Sequence, residues 1–318
     1  MQNKFVRYLI FLICFLGFLF VAQNTLDSFK LRIFNLCGVY VIFAVSMNLV
    51  NGFTGQFSLG HSGFIAVGAY VYALLVMPPD VKTMNFFLAP IISPLADLQL
   101  PFSVAIIIAG LVAALAGYLV GAPVLRLRGD YLAIATLGFS EIIRIIFTNT
   151  QSLTNGSLGL KGIPVPKNIL FWEVKGAFIW WVWIIVLITV VIHFLLINSS
   201  YGRAFKAIRE DEKAAQAMGI SLFKHKVTAL IVSAFFAGVG GALLASLIGT
   251  IDPLMFRFFM TYNILLIVVI GGMGSLSGSI ISAIVVTILM EALRALDQGF
   301  LFLPEMPGLR MVVFSLML

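Results

Sequence analysis

Apolar runs long enough to cross a bilayer recur along the chain, broken by short polar or glycine-rich stretches. They fall near residues 5–22, 31–51, 62–77, 101–122, 131–147, 177–197, 227–250, 259–271 and 280–297, with a last one from 308 onward. A hydrocarbon core about 30 Å thick takes about 20 residues of helix. Lipid cannot satisfy backbone polar groups, so spanning segments are helices or closed barrels. These runs lack the alternation of barrel strands. The pattern predicts an all-α fold, a polytopic transmembrane helix bundle of about ten spans, with residues 1–318 as one domain in a lipid bilayer.

Composition narrows the class. The chain is 61% hydrophobic and 10% charged, against roughly 25% charged in soluble domains. Its formal charge of +7 is weak support for nucleic acid, because Lys and Arg in a membrane protein orient the loops; no nucleic-acid partner is expected. Lys4 and Arg7 precede the apolar run Tyr8–Ala22 in the manner of a signal peptide. Further spans follow without a small-x-small cleavage site, which favours an uncleaved helix with a cytoplasmic N-terminus. Counting spans from there places Arg126, Arg128 and residues 198–226 inside and the long loops 78–100 and 148–176 outside. The last run, Gly308–Leu318, covers about half a bilayer core, so the chain is expected to be truncated at its C-terminus.

Residues 201–226 are the most strongly charged stretch. Arg203, Lys206, Arg209, Lys213, Lys224 and Lys226 stand there with Glu210, Asp211 and Glu212. Ala204, Ala207, Ile208, Ala214, Ala215 and Met218 share one helical face, interrupted by Asp211. Gly219 suits a helix stop. The expectation is one helix or two short ones. A basic amphipathic helix can lie on lipid, but this face is small and the acids oppose anionic headgroups. Docking into the groove of another protein is the preferred reading.

Two glycine-broken segments interrupt the spans: G-F-T-G-Q-F-S-L-G-H-S-G at 52–63 and G-G-M-G-S-L-S-G at 271–278. Irregular backbone at membrane depth lines a cavity or is buried in protein. Gly52, Thr54, Gly55, Gln56, Ser58, His61, Gly272 and Gly274 are therefore candidates for a translocation path; an ordinary turn with glycines for close packing is the alternative. His61 alone is no metal site and reads as a helix-start or loop residue. The span count puts both segments on one side of the membrane.

Two further spans carry small residues at every fourth position: Ala109, Ala113, Gly117 and Gly121, then Ala234, Gly238, Ala242 and Ser246. Small faces let helix backbones approach closely in lipid, so both stripes read as packing seams, within the chain or at a subunit contact. Glu141 and Arg144 lie one turn apart inside a span, where each charge alone is costly. They read either as a structural ion pair or as a polar path lining for a zwitterionic solute. Glu291 and Arg294 repeat the spacing. Cys14 and Cys37 sit in apolar runs as inert thiols. No catalytic constellation, metal cluster or phosphate-binding G-x-x-x-x-G-K-[ST] occurs, so the chain is expected to be no enzyme and to carry no cofactor.

Several of these stretches resemble one family. E-K-A-A-Q-A-M-G, Glu212 to Gly219, is similar to the E-A-A-x-x-x-G loop of ABC-importer permeases, with Lys213 inserted after the Glu. N-L-V-N-G-F-T-G-Q-F-S-L-G-H-S-G-F at 48–64 resembles the LivM-type branched-chain amino acid permeases. So do R-G-D-Y-L-A-I-A-T-L-G-F-S-E-I-I-R at 128–144, T-N-G-S-L-G-L-K-G-I-P at 154–164 and I-G-G-M-G-S-L-S-G-S at 270–279. The resemblance covers about residues 40–295. It implies a permease subunit of the bacterial cytoplasmic membrane, moving leucine, isoleucine, valine or other hydrophobic amino acids by alternating access. It also implies two cytoplasmic ATPase subunits holding ATP and Mg, a related second permease, and a periplasmic or extracellular substrate-binding protein. Arg209, Glu212, Ala214, Ala215 and Gly219 would then couple to the ATPases. The same machine carrying urea or a short-chain amide, a non-transporting scaffold and an ion-coupled transporter are the alternatives; the last needs no docking helix.

Overall fold

The computed structural model describes residues 15, 17–125, 127, 129–166, 168–169, 172–173 and 176–297. Ten principal helices carry the architecture. They are α1 (Ser28–Asn48), α2 (His61–Val76), α3 (Phe102–Val124), α4 (Asp130–Asn149), α5 (Ala177–Asn198), α6 (Ser200–Glu210), α7 (Glu212–Ala217), α8 (Leu222–Ile248), α9 (Phe258–Gly271) and α10 (Leu276–Asp297). α1 continues as a π turn over Leu49–Phe53. Among the described residues, six helices are long and apolar enough to cross a membrane: α1 with its π turn, α3, α4, α5, α8 and α10. α2 and α9 are apolar but shorter. The apolar run at 5–22 is described only in part and the run from 308 onward lies outside the described residues, as do Cys14, Arg126 and Arg128.

The core is built around α8, which contacts α1, α2 and α3. The two small-residue stripes pack against each other. A Cβ on Gly117 would meet the Ala234 methyl at 2.6 Å, one on Gly121 would meet Leu230, and one on Gly238 would overlap Ala113 and approach the Ala109 carbonyl at 3.1 Å. On its other side Gly238 abuts Gly68 of α2. The stripes are thus an internal seam. Lipid tails are as apolar as leucine, so helices here gain from close van der Waals contact and not from hiding apolar surface. Absent side chains at these positions let three backbones meet.

One layer of hydroxyls fixes the centre. The Ser233 hydroxyl of α8 donates to the Ser46 carbonyl of α1 at 2.7 Å, and Ser46 Oγ lies 3.0 Å from His61 Nε2 at the start of α2. His61 is therefore a helix-start residue, and no metal-holding group of three or more His, Cys, Asp and Glu occurs among the described residues.

The opposite end of the bundle, away from α6 and α7, is closed by the long loops. Leu160–Lys161 pairs antiparallel with Thr250–Ile251, and Asn168–Ile169 pairs with Trp172–Glu173. Short helices Pro79–Asn85 and Ser93–Ala96 lie nearby. The wholly buried Lys82 ammonium donates to the carbonyls of Leu95 (2.8 Å) and Leu98 (2.6 Å), pinning that loop. Burial lowers the pKa of Lys82 from its ordinary value, opposed by the charge of Asp97.

Gly138, on α4, has open space where a Cβ would stand. Gly238→Leu is therefore expected to destabilise the detergent-purified protein by about 1–3 kcal/mol, the usual cost of overpacking, while Gly138→Leu leaves the thermal midpoint unchanged. Equal midpoints for the two variants would show that the α3–α8 seam is not close-packed.

Candidate functional site

The backbone between α1 and α2 is irregular, yet Thr54, Gln56 and Ser58 are buried. Side chains replace the missing helix ladder. Asn51 Nδ2 donates to the Ser58 carbonyl at 3.2 Å, and the Ser58 amide donates to Asn51 Oδ1 at 3.3 Å. The Thr54 hydroxyl donates to the Val50 carbonyl at 2.6 Å. Gln56 Nε2 donates to Thr54 Oγ1 at 3.0 Å and to the Lys226 carbonyl at 3.4 Å. The Leu59 amide donates to Thr136 Oγ1 of α4 at 3.0 Å, and the Ser62 amide to Thr261 Oγ1 of α9 at 2.9 Å. Within the chain, the side chains of Asn51 and Thr54 repair the irregular backbone, and that of Gln56 ties the segment to α8. Gly55 and Phe57 are the exposed positions of the segment.

The second glycine-broken segment meets the first. Gly272 and Gly274 have φ of +86° and +84°, which non-glycine residues adopt only under strain. The Gly274 amide donates to Asn48 Oδ1 at 2.9 Å, and Asn48 Nδ2 donates to the Ser275 carbonyl (2.9 Å) and Ser279 Oγ (2.7 Å). A Cβ on Gly52 would overlap both Asn48 Oδ1 and the Gly274 amide. The sequence offered only a faint likeness between these segments, and Asn48 escaped notice because one Asn ending an apolar run has no periodic signature.

The charged loop folds as two helices. Asp211 stands between them as an extended residue whose carboxylate accepts from the Lys213 amide (2.7 Å) and the Ala214 amide (3.1 Å), an N-cap that starts α7. Gly219, at φ +81°, ends α7, and the Ile220 amide returns to the Ala215 carbonyl at 3.1 Å, closing the helix as a Schellman turn.

The shared apolar face does not all point outward. Ala204, Phe205, Ile208 and Ala215 are buried, with Phe205 packing against Leu49, Phe53, Ile197 and Ala229 at the feet of the membrane helices. This corrects the expectation of one alanine-rich docking face. An amphipathic pattern identifies a buried face but does not say whether the same chain or a partner buries it. Exposed on α7 and its exit are Lys213, Ala214, Gln216, Ala217, Met218 and Gly219, alongside the charged face of α6 with Arg203, Lys206 and Glu210. Met218 is 83% exposed.

Arg209 and Glu212 turn toward the bundle. Arg209 Nη1 donates to the Gly52 carbonyl at 3.0 Å, while the Arg209 stem lies on Gly55, about 3.1–3.3 Å from where a Cβ would stand. The same nitrogen occupies the space a Cβ on Gly274 would need. Glu212 accepts from the Lys226 ammonium in the second turn of α8; the Lys226 side chain is 7% exposed and that of Glu212 36%. The predicted coupling residues thus divide into two sets. Ala214 and Gly219 lie on the outer surface, whereas Arg209, Glu212 and Ala215 anchor the loop to the membrane helices.

Glu141 and Arg144 form an ion pair on α4, Arg144 Nε to Glu141 Oε2 at 2.6 Å. They sit apart from the Arg209 cluster. The pair is not sealed in the bundle, as its side chains keep 32% and 19% of their accessible surface, beside the exposed Ile142 and Ile145. The Arg294 side chain of the second charge pair lies outside the described residues.

Residues 30–318 match the family described as branched-chain amino acid transport system / permease component. The high-affinity branched-chain amino acid transport system permease protein LivM of Escherichia coli K12 is 36% identical over 302 residues, covering 87% of this chain and 65% of the relative. LivM of Salmonella typhimurium is 36% identical over 284 residues, covering 82% and 62%. A probable LivM of Methanocaldococcus jannaschii is 26% identical over 277 residues, covering 80% and 79%. The chain therefore spans somewhat less than two thirds of the length of the two bacterial relatives. No solved structure matches. On the family match over most of its length, the chain belongs to the permease-component family of branched-chain amino acid transport systems.

Proposed function

We propose that this chain is a transmembrane permease subunit of an ATP-driven importer for leucine, isoleucine, valine or related hydrophobic amino acids. The observation that carries the mechanism is Arg209. It joins the loop bearing exposed α7 to the carbonyl of Gly52 and the flank of Gly274. Movement imposed on α7 from outside the bundle has a short covalent and polar route to both glycine-broken segments.

In this reading α7 faces the cytoplasm and seats in a groove on one of two partner ATPase subunits, with Met218 as its apolar tip. ATP and Mg belong to those partners, so the chain itself is no enzyme and holds no cofactor. The first run then starts from a cytoplasmic N-terminus in the bacterial inner membrane, and the two end runs complete about ten spans. A binding protein delivers the solute to the opposite end, near the loops pinned by Lys82. A ligand shifts a conformational equilibrium only by its differential affinity for the two states; ATPase closure supplies that difference through α7.

A related second permease completes the path. The partly exposed Glu141–Arg144 pair supports this, because charges on a membrane face are costly when only lipid covers them. Opposed by a partner helix, the pair offers both signs to a zwitterionic solute. Gly55, Gly272 and Gly274 remain candidates for the moving edge of the path. Gly52, Thr54, Gln56, Ser58 and His61 would act from behind it, by holding the irregular backbone.

Two outcomes test this reading in proteoliposomes containing the full complex. Gly219→Glu has room for a side chain and costs about 1 kcal/mol for its left-handed backbone, so it should insert normally. It is expected to cut ATP-driven leucine uptake by about tenfold or more, the scale of one lost interface anchor. Glu212→Lys should do the same by opposing Lys226, and the swap Glu212→Lys with Lys226→Glu should recover part of the loss. Wild-type uptake by both single variants would remove α7 from the mechanism.

Glu141→Gln leaves Arg144 without a charged partner. It is expected to change the apparent KM for amino acid while membrane abundance stays at the wild-type level. Reduced abundance with an unaltered KM would identify the pair as structural.

A further inference from the structure

Asn48 is fully buried at the last turn of α1, and all its side-chain bonds to other elements go to one place. Its amide nitrogen donates to the Ser275 carbonyl and the Ser279 hydroxyl, and its amide oxygen accepts from the Gly274 backbone. Ser275 begins the turn into α10 and Ser279 lies one turn inside it. Asn48 is thus the side chain that hydrogen-bonds the α9–α10 junction to the end of α1, beside the Arg209 guanidinium that abuts Gly274. Four residues further along α1, Gly52 receives the Arg209 guanidinium.

Between those two contacts α1 leaves α-helical geometry for a π turn, Leu49–Phe53. The Gly52 position leaves no space for a Cβ against Asn48 and Gly274, so the three groups are in direct van der Waals contact. The α9–α10 junction is equally tight: a Cβ on Gly278 would overlap the Gly271 carbonyl, and Ser282 Oγ donates to the Ile267 carbonyl at 2.7 Å. The hairpin is internally stiff and is gripped at its tip by Asn48.

We infer that Asn48 is a positioning residue for transport: its side chain makes the tip of the α9–α10 hairpin follow the end of α1 when Arg209 displaces Gly52. The inference rests on the importer reading above. Its amide suits the task because it uses donor and acceptor together, reading one backbone amide, one carbonyl and one hydroxyl on the far element. An apolar side chain of similar size would fill the space but let the hairpin slip.

The test uses the whole complex with wild-type chain, Asn48→Ala and the milder Ser279→Ala, which removes only one of the three bonds. Two quantities are read: amino acid imported per ATP hydrolysed, and nucleotide-dependent hydrogen exchange of peptides covering 48–56 and 270–280. In the wild type both peptides are expected to respond together. In Asn48→Ala the response of 48–56 persists, that of 270–280 is lost, and import per ATP falls about fivefold or more, the lower range of allosteric coupling. Ser279→Ala should fall between. If both peptides still respond in Asn48→Ala, or import per ATP is unchanged, the inference is overturned and the importer reading stands. A wild-type complex in which neither peptide responds to nucleotide overturns both. Should Asn48→Ala fail to assemble, Ser279→Ala decides: wild-type values in that variant would leave Asn48 with a structural role alone.

Discussion

A backbone that breaks inside a membrane must find its hydrogen bonds within the protein, and this bundle breaks its backbone in its interior. The stretch from Leu49 to Gly60 departs from the α-helical ladder while remaining largely buried. The surrounding chemistry answers that one constraint. Asn51 and Ser58 exchange bonds across the bend, Thr54 and Gln56 reach back to Val50 and across to Lys226, and hydroxyls from α4 and α9 take the amides of Leu59 and Ser62. An unpaired buried amide or carbonyl would cost about 1–3 kcal/mol. The polar residues Asn51, Thr54, Thr136 and Thr261 are thus accounted for by backbone repair.

The same constraint explains why the core needs small residues. α2 is short and starts deep in the bundle, so it can be held only by helices that come close along its whole length. Gly68 meets Gly238, Gly240 lies on Phe43, and Gly241 lies on the Ile65 carbonyl. Ala109 and Ala113 of α3 close the other side of Gly238. α1, α2, α3 and α8 form one block, with the Ser46–His61–Ser233 layer across it.

Much of this was legible in the sequence. Long apolar runs gave the six long helices and the two shorter ones to within a few residues, because apolar length is what a bilayer selects. The two small-residue stripes could be recognised as seams, although not as halves of the same seam, since spacing gives a face and no partner. Gly219 was recognisable as a helix stop because few other residues take its conformation easily. Three features were hidden. Polar residues beside glycines at membrane depth serve a path or repair a backbone, and composition does not separate the two. The inward turn of Ala204, Ile208 and Ala215 depended on the position of Phe205 against the helix feet. The meeting of 52–63 with 271–278 rests on Asn48, whose type and position are unremarkable in isolation.

The division of the charged loop follows from its chemistry. A loop that only recruited a partner could present its cations to solvent, where long side chains keep their entropy. Here Lys226 is nearly buried, and the Arg209 guanidinium reaches into the bundle although 42% of its side chain stays exposed. Arg209 suits its position because its planar fork can donate to a carbonyl while its aliphatic stem covers Gly55; a lysine would bring one compact ammonium and less directional hold. Lys226, nearly buried, is paired with Glu212 at the start of α7, and such a pair is costly to break from one side. α6 is therefore tied to the end of α1 and α7 to the start of α8, with only the extended Asp211 between the two helices. Since α1 and α8 are welded by Ser46 and Ser233, a push on α7 cannot separate them cheaply. Such a push instead reaches the tip of the α9–α10 hairpin, which Asn48 bonds to the end of α1 and which the Arg209 guanidinium abuts at Gly274.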